Sequence, residues 1–290
     1  MYGDAGRAWL AGLPTLLADW GRQWDVQVGT PFAPLSFNYV AAATAADGTK
    51  LVIKAGFPHP ELFSEMAALQ HYAGQGCVRL IDHDRAQGVM LLERLQPGTM
   101  LSTLADDAEA TRIAAGVMHR LWRPPPENQA FPHVRNWMDG LRRLRKHFDG
   151  GSGPLPEWLV ARAEQRAAEL LPTMDQPLLL HGDLHHYNIL RAGRAPWLAI
   201  DPKGVIGEAA YETGALLRNP SPQIGVQSNL PAIMTRRVDM LSRNLGLQRE
   251  RILGWGLAQA VLSAWWSIED ASAGWEPAIA CAAALAAIGG

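Results

Sequence analysis

With 290 residues the chain can bury one large core or two smaller ones that share a cleft. A composition of 48% hydrophobic and 19% charged residues, with Gly and Pro spread along the chain, excludes any long disordered stretch. Acidic and basic residues nearly cancel (28 against 26, net −2), so no global positive field exists for nucleic acid or an anionic membrane, and any bound polyanion must be held by local groups. Only Cys77 and Cys281 are present, and Asp4, Arg7 and Asp19 interrupt the order of a signal peptide. A cytoplasmic chain with reduced thiols is expected.

Leu10, Leu13, Leu17, Trp20 and Trp24 recur at spacings of three and four, which predicts an amphipathic helix over Ala8 to Trp24. From Tyr39 to Lys54 two short apolar runs flank Asp47-Gly48, a dipeptide suited to a tight hairpin turn, and Leu51-Val52-Ile53-Lys54 is the second strand. Pro60 opens a helix whose core stripe is Leu62, Met66 and Leu69, with Glu61 and Glu65 on a neighbouring face. Strands follow at Cys77–Ile81 and Gly88–Leu95, and Gln96-Pro97-Gly98 then breaks regular structure at a crossing between two lobes.

Beyond that crossing the chain reads as helical over Asp106–Trp122, Val134–Phe148 and Glu157–Leu171. A strand-rich island interrupts the helices at Leu178–His181, Ile189–Arg191 and Trp197–Ile200, the last two joined by Ala192-Gly193-Arg194. Helices near Leu230–Leu245 and Arg251–Ile268 follow, then an alanine-rich segment from Pro277. The longest uncharged run, Leu253 to Ile268, is shorter than the roughly 18–20 apolar residues that span a bilayer, and reads as a buried helix.

The island carries the chemistry. His181-Gly182-Asp183-Leu184-His185-His186-Tyr187-Asn188 is followed by Ile200-Asp201-Pro202-Lys203. Phosphoryl transfer needs one carboxylate at the acceptor hydroxyl, and an amide and a second carboxylate for the magnesium that neutralises the phosphates. Asp183 and Asn188 have the spacing of a kinase catalytic loop, and a hairpin returns Asp201 beside Asn188. Oxygen ligands of this kind suit Mg²⁺. Histidines 181, 185 and 186 invite a zinc reading, but such a site needs three or four convergent ligands, and a kinase-type loop explains them more simply.

HGDLHHYNIL with AIDPKGVIGEAAYE, then Leu217-Arg218-Asn219-Pro220 and AVLSAWWSIED, resemble the aminoglycoside 6-phosphotransferase and hydroxyurea phosphotransferase family over nearly the whole chain. The resemblance implies an α+β, two-lobed protein-kinase-like fold: a small β-rich nucleotide-binding lobe at residues 1–95 and a mainly helical catalytic lobe at residues 96–290. It implies an ATP-dependent O-phosphotransferase acting, with Mg²⁺, on a hydroxylated small molecule such as streptomycin or hydroxyurea, with neither nucleic acid nor membrane as partner. A nucleotide-binding module without catalysis is the alternative, against which the intact Asp183, Asn188, Asp201 and Lys54 argue.

Carried over by position, Asp183 is the catalytic base, Asn188 and Asp201 are the magnesium ligands, and Lys54 with Glu65 positions the α- and β-phosphates. Glu61, one turn earlier, is the alternative partner of Lys54. Leu92, Glu93 and Leu95 form the hinge whose backbone meets adenine. His185 stands where many protein kinases have a lysine near the γ-phosphate, and His181 packs and orients the loop. Two departures stand out: Ser36-Phe37-Asn38-Tyr39 has no glycine where a phosphate-covering loop would lie, and Asp201 is followed by Pro202-Lys203 with no activation-loop text.

Glu208 and Glu212 follow the second aspartate, and the second acid is expected to tie the catalytic loop in place. Trp137, Trp265 and Trp266 are expected chiefly in the core, with stacking on a sugar ring as the alternative. Asp139, Glu269 and Asp270 are the candidate acidic groups for a cationic acceptor, since guanidinium and ammonium groups leave water only for charge-assisted partners.

Overall fold

The computed structural model describes residues 2–33, 37–128 and 130–289; Ser36 of the expected phosphate-covering loop lies outside them. Helix α1 (Gly3–Gln23) begins before the predicted Ala8 and carries Asp4 in its first turn, where a carboxylate suits the positive end of the helix dipole. Its Leu17 and Trp20 are buried against Ala41, Ile53, Ala55 and Val89, which belong to an antiparallel five-stranded sheet. The strands are β1 (Val26–Pro31), β2 (Tyr39–Ala45), β3 (Lys50–Ala55), β4 (Leu80–Asp84) and β5 (Val89–Glu93), in the order β1-β2-β3-β5-β4.

The β2–β3 hairpin turns at the expected dipeptide: Gly48 has φ +87° and the Asp47 carboxylate accepts from Thr49 N at 2.8 Å. Strand β1 is not among the predicted elements, because Gly29 and Pro31 weaken its pattern. An edge strand tolerates both. Helix α2 (Pro60–Tyr72) is capped by the His59 ring, which accepts from Leu62 N at 3.0 Å, and buries Leu62, Met66, Leu69 and Tyr72. These residues share the largest core cluster with Leu92, Leu95, Phe131 and Val205, so α2 joins the sheet to the rest of the molecule.

The predicted Cys77–Ile81 strand is displaced. Cys77 bridges to Ala199 and Val78 N donates to Ala199 O at 2.8 Å, so the chain pairs with the distal hairpin before β4 begins at Leu80. Nor does Gln96-Pro97-Gly98 end regular structure: β6 (Pro97–Met100) pairs outward across a register shift that accommodates the two breakers.

After β6 come α3 (Asp107–Leu121), α4 (Val134–His147) and α5 (Glu157–Leu170), then β7 (Leu178–Leu180), β8 (Ile189–Ala192), β9 (Trp197–Ala199) and β10 (Val205–Gly207). Strands β6-β8-β9 form one small sheet and β7-β10 another. Helix α6 (Ala209–Leu217) follows, unpredicted because burial on nearly every side leaves it no polar stripe. Then α7 (Leu230–Leu245), α8 (Arg249–Glu269) and α9 (Glu276–Gly289) close the chain. Among them α8 is central, with Trp255 and Trp265 fully buried and α4, α5, α6 and α9 packed around it. Among the described residues no helix is long and apolar enough to cross a membrane.

Candidate active site

Strand β3 carries Lys54 into the seam between the sheet and α2, where it is 2% exposed. Its ammonium lies 2.6 Å from Glu65 Oε1 and 3.2 Å from Asp201 Oδ1. Glu61, the alternative partner, instead pairs with Lys203. Burial lowers the Lys54 pKa, but Asp201 and Glu65 more than offset this and hold it above its ordinary value. Burial raises the Glu65 carboxyl in spite of Lys54. Removing one member of such a buried pair leaves an uncompensated charge, which costs about 3–5 kcal/mol.

The segment from β7 to β8 is the catalytic-loop text, and it is held mainly through its backbone. Glu212 on α6 accepts from His181 N at 2.6 Å and from Gly182 N at 2.9 Å, the tie expected of the second acid. The His181 ring bonds Ile200 O at 2.8 Å, Asn188 Nδ2 donates to Asp183 O at 2.9 Å, and Ile200 N donates to Asn188 O at 2.9 Å. Gly182 sits at φ +84°, and a Cβ there would lie 2.7 Å from the Trp137 ring, so only glycine fits. Asp183 faces two groups: Arg218 Nη2 at 3.1 Å from Oδ1 and His185 Nε2 at 3.4 Å from Oδ2. Burial pushes the Asp183 carboxyl up, but His185, Arg218 and Lys203 together hold it well below the usual carboxylate range. It therefore stays ionised.

Burial also takes His181 down to about 4 and His186 to about 3, and raises Glu212 to about 7. The unfolded chain binds protons on these histidines near pH 6.5 that the folded chain refuses, so their contribution to stability is lost as pH falls from about 6.5 toward 4. Glu212 has the opposite sign. Folded, it keeps its proton to about pH 7, whereas the unfolded group releases it near 4.5, so its contribution grows as pH falls through that window. Glu212→Gln turns an amide NH₂ toward one of two backbone donors, and is expected to cost about 1–3 kcal/mol. Its melting temperature should also fall more steeply than the parent's on acidification from pH 6.5 to 4.5. An unchanged melting temperature would remove Glu212 as the loop's anchor.

Three contacts at this site lie outside the expected set. Arg218, quoted in the motif without a role, holds Asp183 and also donates to Gln259 Oε1 at 3.2 Å. Lys203 is paired with Glu61 of α2. Arg194, at the predicted β8–β9 turn, binds Glu93 Oε1 at 2.8 Å and the carbonyls of Gly74 and Cys77 at 2.7 and 2.6 Å. An arginine in a turn reads as solvated, and nothing in its spacing signals these distant partners. The Glu93 carboxylate is thus taken, and its N–H donates to Arg79 O at 2.9 Å, so any contact with a base falls to other main-chain groups of Leu92, Glu93 and Leu95. Glu208 is also structural: Arg251 donates to it at 2.7 and 2.9 Å, and Trp255 Nε1 bonds it.

Two of the three candidate acids are already paired. Glu269 is gripped by Arg143 at 2.9 and 3.1 Å, and Asp139 pairs with Arg142 at 2.9 Å, because α4 ends in a run of basic residues beside the end of α8. Asp270 is exposed and has no ion-pair partner among the described residues. Of the three tryptophans only Trp265 is core, at 1% exposed. Trp137 and Trp266 are half-buried and meet edge to face, with ring centroids 5.8 Å apart.

Among the described residues no three His, Cys, Asp or Glu side chains cluster as a metal site. Asn188 commits its amide nitrogen to Asp183 O and keeps its oxygen as an acceptor, while Asp201 stays 45% exposed. Two such oxygens suit Mg²⁺, which commonly takes one or two protein ligands and completes its shell with phosphates and water.

A family model described as aminoglycoside/hydroxyurea antibiotic resistance kinase matches residues 22–271. The chain belongs to this family. It is 33% identical over 287 residues to a streptomycin 6-kinase of Streptomyces griseus, covering 98% of this chain and 92% of that protein. It is 34% identical to a hydroxyurea phosphotransferase of Kitasatospora aureofaciens, covering 92% and 77%. A choline kinase from Streptococcus pneumoniae has the same fold, with a TM-score of 0.65 at 11% identity over 95% of this chain and 99% of that one. The chain is therefore a kinase-like α+β protein and a small-molecule phosphotransferase.

Proposed function

We propose that this family member transfers the γ-phosphate of ATP, with Mg²⁺, to a hydroxyl of a small polar acceptor of the aminocyclitol class. One observation supports the reading: Lys54 is ion-paired with both Glu65 and Asp201, and Asn188 is hydrogen-bonded to Asp183 within the loop that precedes Asp201. A module freed from catalysis has no need of all five. Asp183 accepts the acceptor's hydroxyl proton and orients its oxygen toward phosphorus. Lys54, steadied by Glu65, holds the α- and β-phosphates, and main-chain groups at Leu92, Glu93 and Leu95 hold the base. Asn188 and Asp201 would ligate Mg²⁺, which supplies charge neutralisation at the phosphates.

The acceptor half rests on a short chain of contacts. Trp137 covers Gly182 beside Asp183, Trp266 stands against Trp137, and Asp270 N bonds Trp266 O at 2.9 Å one turn on. The two indoles offer an apolar wall for a ring, and Asp270 a free carboxylate for a cationic group. Asp270→Asn is expected to raise KM for streptomycin about tenfold, or about 1.4 kcal/mol, with KM for ATP unchanged. Steady-state kinetics in both substrates measure this, and an unaltered streptomycin KM would refute the assignment.

A further inference from the structure

We propose that Lys203 is a catalytic residue that binds the transferred γ-phosphoryl group, leaving Glu61 for it when the nucleotide enters. The proposal rests on the phosphotransferase reading above and assigns within it a residue that the catalytic-loop motif does not include.

The backbone that carries Lys203 is fixed. Lys203 N donates to His181 O at 2.7 Å, Gly204 N donates to the same oxygen at 3.3 Å, and Ser64 Oγ of α2 donates to Gly204 O at 2.9 Å. Pro202, with its fixed φ, stiffens the link from Asp201 to Lys203. The side chain therefore starts from a fixed point between the catalytic loop and α2, two residues beyond Asp201. Its charge helps to hold the Asp183 and Asp201 carboxyls below their ordinary range and opposes the rise that burial gives Glu65.

The other cations of the cleft are committed. Lys54 lies between Glu65 and Asp201, and Arg218 is shared between Asp183 and Gln259. His185, at the place of the protein-kinase lysine, stands 3.4 Å from both Asp183 and Asn188, and an imidazole carries no fixed charge. A transition state that spreads charge over three equatorial oxygens is stabilised by a cation beside the metal. Lys203 can supply it.

Its present partner is easily exchanged. The Lys203 and Glu61 side chains are 36% and 57% exposed, and ion pairs open to water are weak. Glu61 lies in the first turn of α2, where the helix dipole stabilises the carboxylate once it is left alone. A multiply charged phosphate in the cleft is the stronger partner. In the reaction the bond from phosphorus to the ADP oxygen breaks, a bond to the acceptor oxygen forms, the hydroxyl proton passes to Asp183, and Lys203 keeps its protons throughout.

The test compares Lys203→Gln, Lys203→Arg and Glu61→Gln with the parent. Affinities for ADP and for a non-hydrolysable ATP analogue are measured by calorimetry with Mg²⁺, and turnover is measured with the best acceptor. Lys203→Gln should bind ADP as the parent does, lose at least tenfold in affinity for the analogue, and fall about 10²–10³-fold in kcat, the usual effect of one charge-stabilising donor. Lys203→Arg should recover most of both losses. Glu61→Gln should keep turnover and the preference for the analogue over ADP. Equal losses in Glu61→Gln and Lys203→Gln would make the pair an interlobe bridge and overturn the proposal, as would an unchanged analogue-to-ADP ratio in Lys203→Gln. If the parent itself neither binds the analogue nor turns over, the phosphotransferase reading fails instead.

Discussion

Asp183→Asn is expected to lower turnover about 10²–10⁴-fold, the usual contribution of a positioned general base, while folding and nucleotide binding persist. The amide oxygen can still accept from Arg218, which now lies 3.1 Å from Oδ1, so the fold loses little. What is lost is the ionised group that takes the hydroxyl proton and aims its oxygen. A loose transition state asks little of a base, so part of the loss comes from mispositioning the acceptor. Because Arg218, His185 and Lys203 outweigh burial and keep the carboxyl below its ordinary range, this group should impose no acid limb on the rate near neutrality. Single-turnover phosphotransfer and an ATP-analogue titration separate the two effects, and near-normal phosphotransfer would remove Asp183 from the role.

Asp201→Ala should weaken Mg-dependent ATP binding about 100-fold or more, roughly 2.7 kcal/mol, and leave adenosine nearly unaffected. Adenosine presents no phosphate charge, so it gains nothing from a metal-binding carboxylate. Lys54 keeps Glu65 at 2.6 Å in the variant and so remains paired. Calorimetry with each ligand decides the matter: equal weakening of both would mean that Asp201 shapes the pocket and does not act through the phosphates.

The donor half of this site is legible in the sequence because its chemistry is compressed into short, ordered text. Asp183, Asn188 and Asp201 are spaced by a loop and a hairpin, and Lys54 closes a strand whose apolar run is plain; the fold pairs Lys54 with Asp201 and bonds Asn188 to Asp183. Glu65 and Glu61 could not be ranked from spacing, since one helical turn separates them and only the direction of α2 decides which meets Lys54. Periodicity also cannot register α6, which is buried nearly all round, or β1, where Gly and Pro interrupt an edge strand.

Long-range ion pairs were the least legible layer. Arg194 reaches back to Glu93 and Arg218 to Asp183, each set by how whole elements dock and not by local pattern. The same physics neutralised Glu269, one of the three expected acids: it stands at α8's end as the sequence suggests, but basic α4 delivers Arg143 to it. The contacts of Trp137 with Trp266 and with Gly182 depend on the same docking, since α4, α8 and the loop must be placed together before they meet.

The most direct test of the phosphotransferase account is transfer of label from γ-³²P-ATP to streptomycin, hydroxyurea and simple sugars, with ADP and phosphoester quantified in the same reactions. ADP and a labelled phosphoester are expected in equal amounts with at least one of these hydroxylated acceptors, with the initial rate of both about 10²–10⁴-fold lower in Asp183→Asn. ATP bound without any phosphoester formed, or the same initial rate of phosphoester formation in Asp183→Asn as in the parent, would contradict the account.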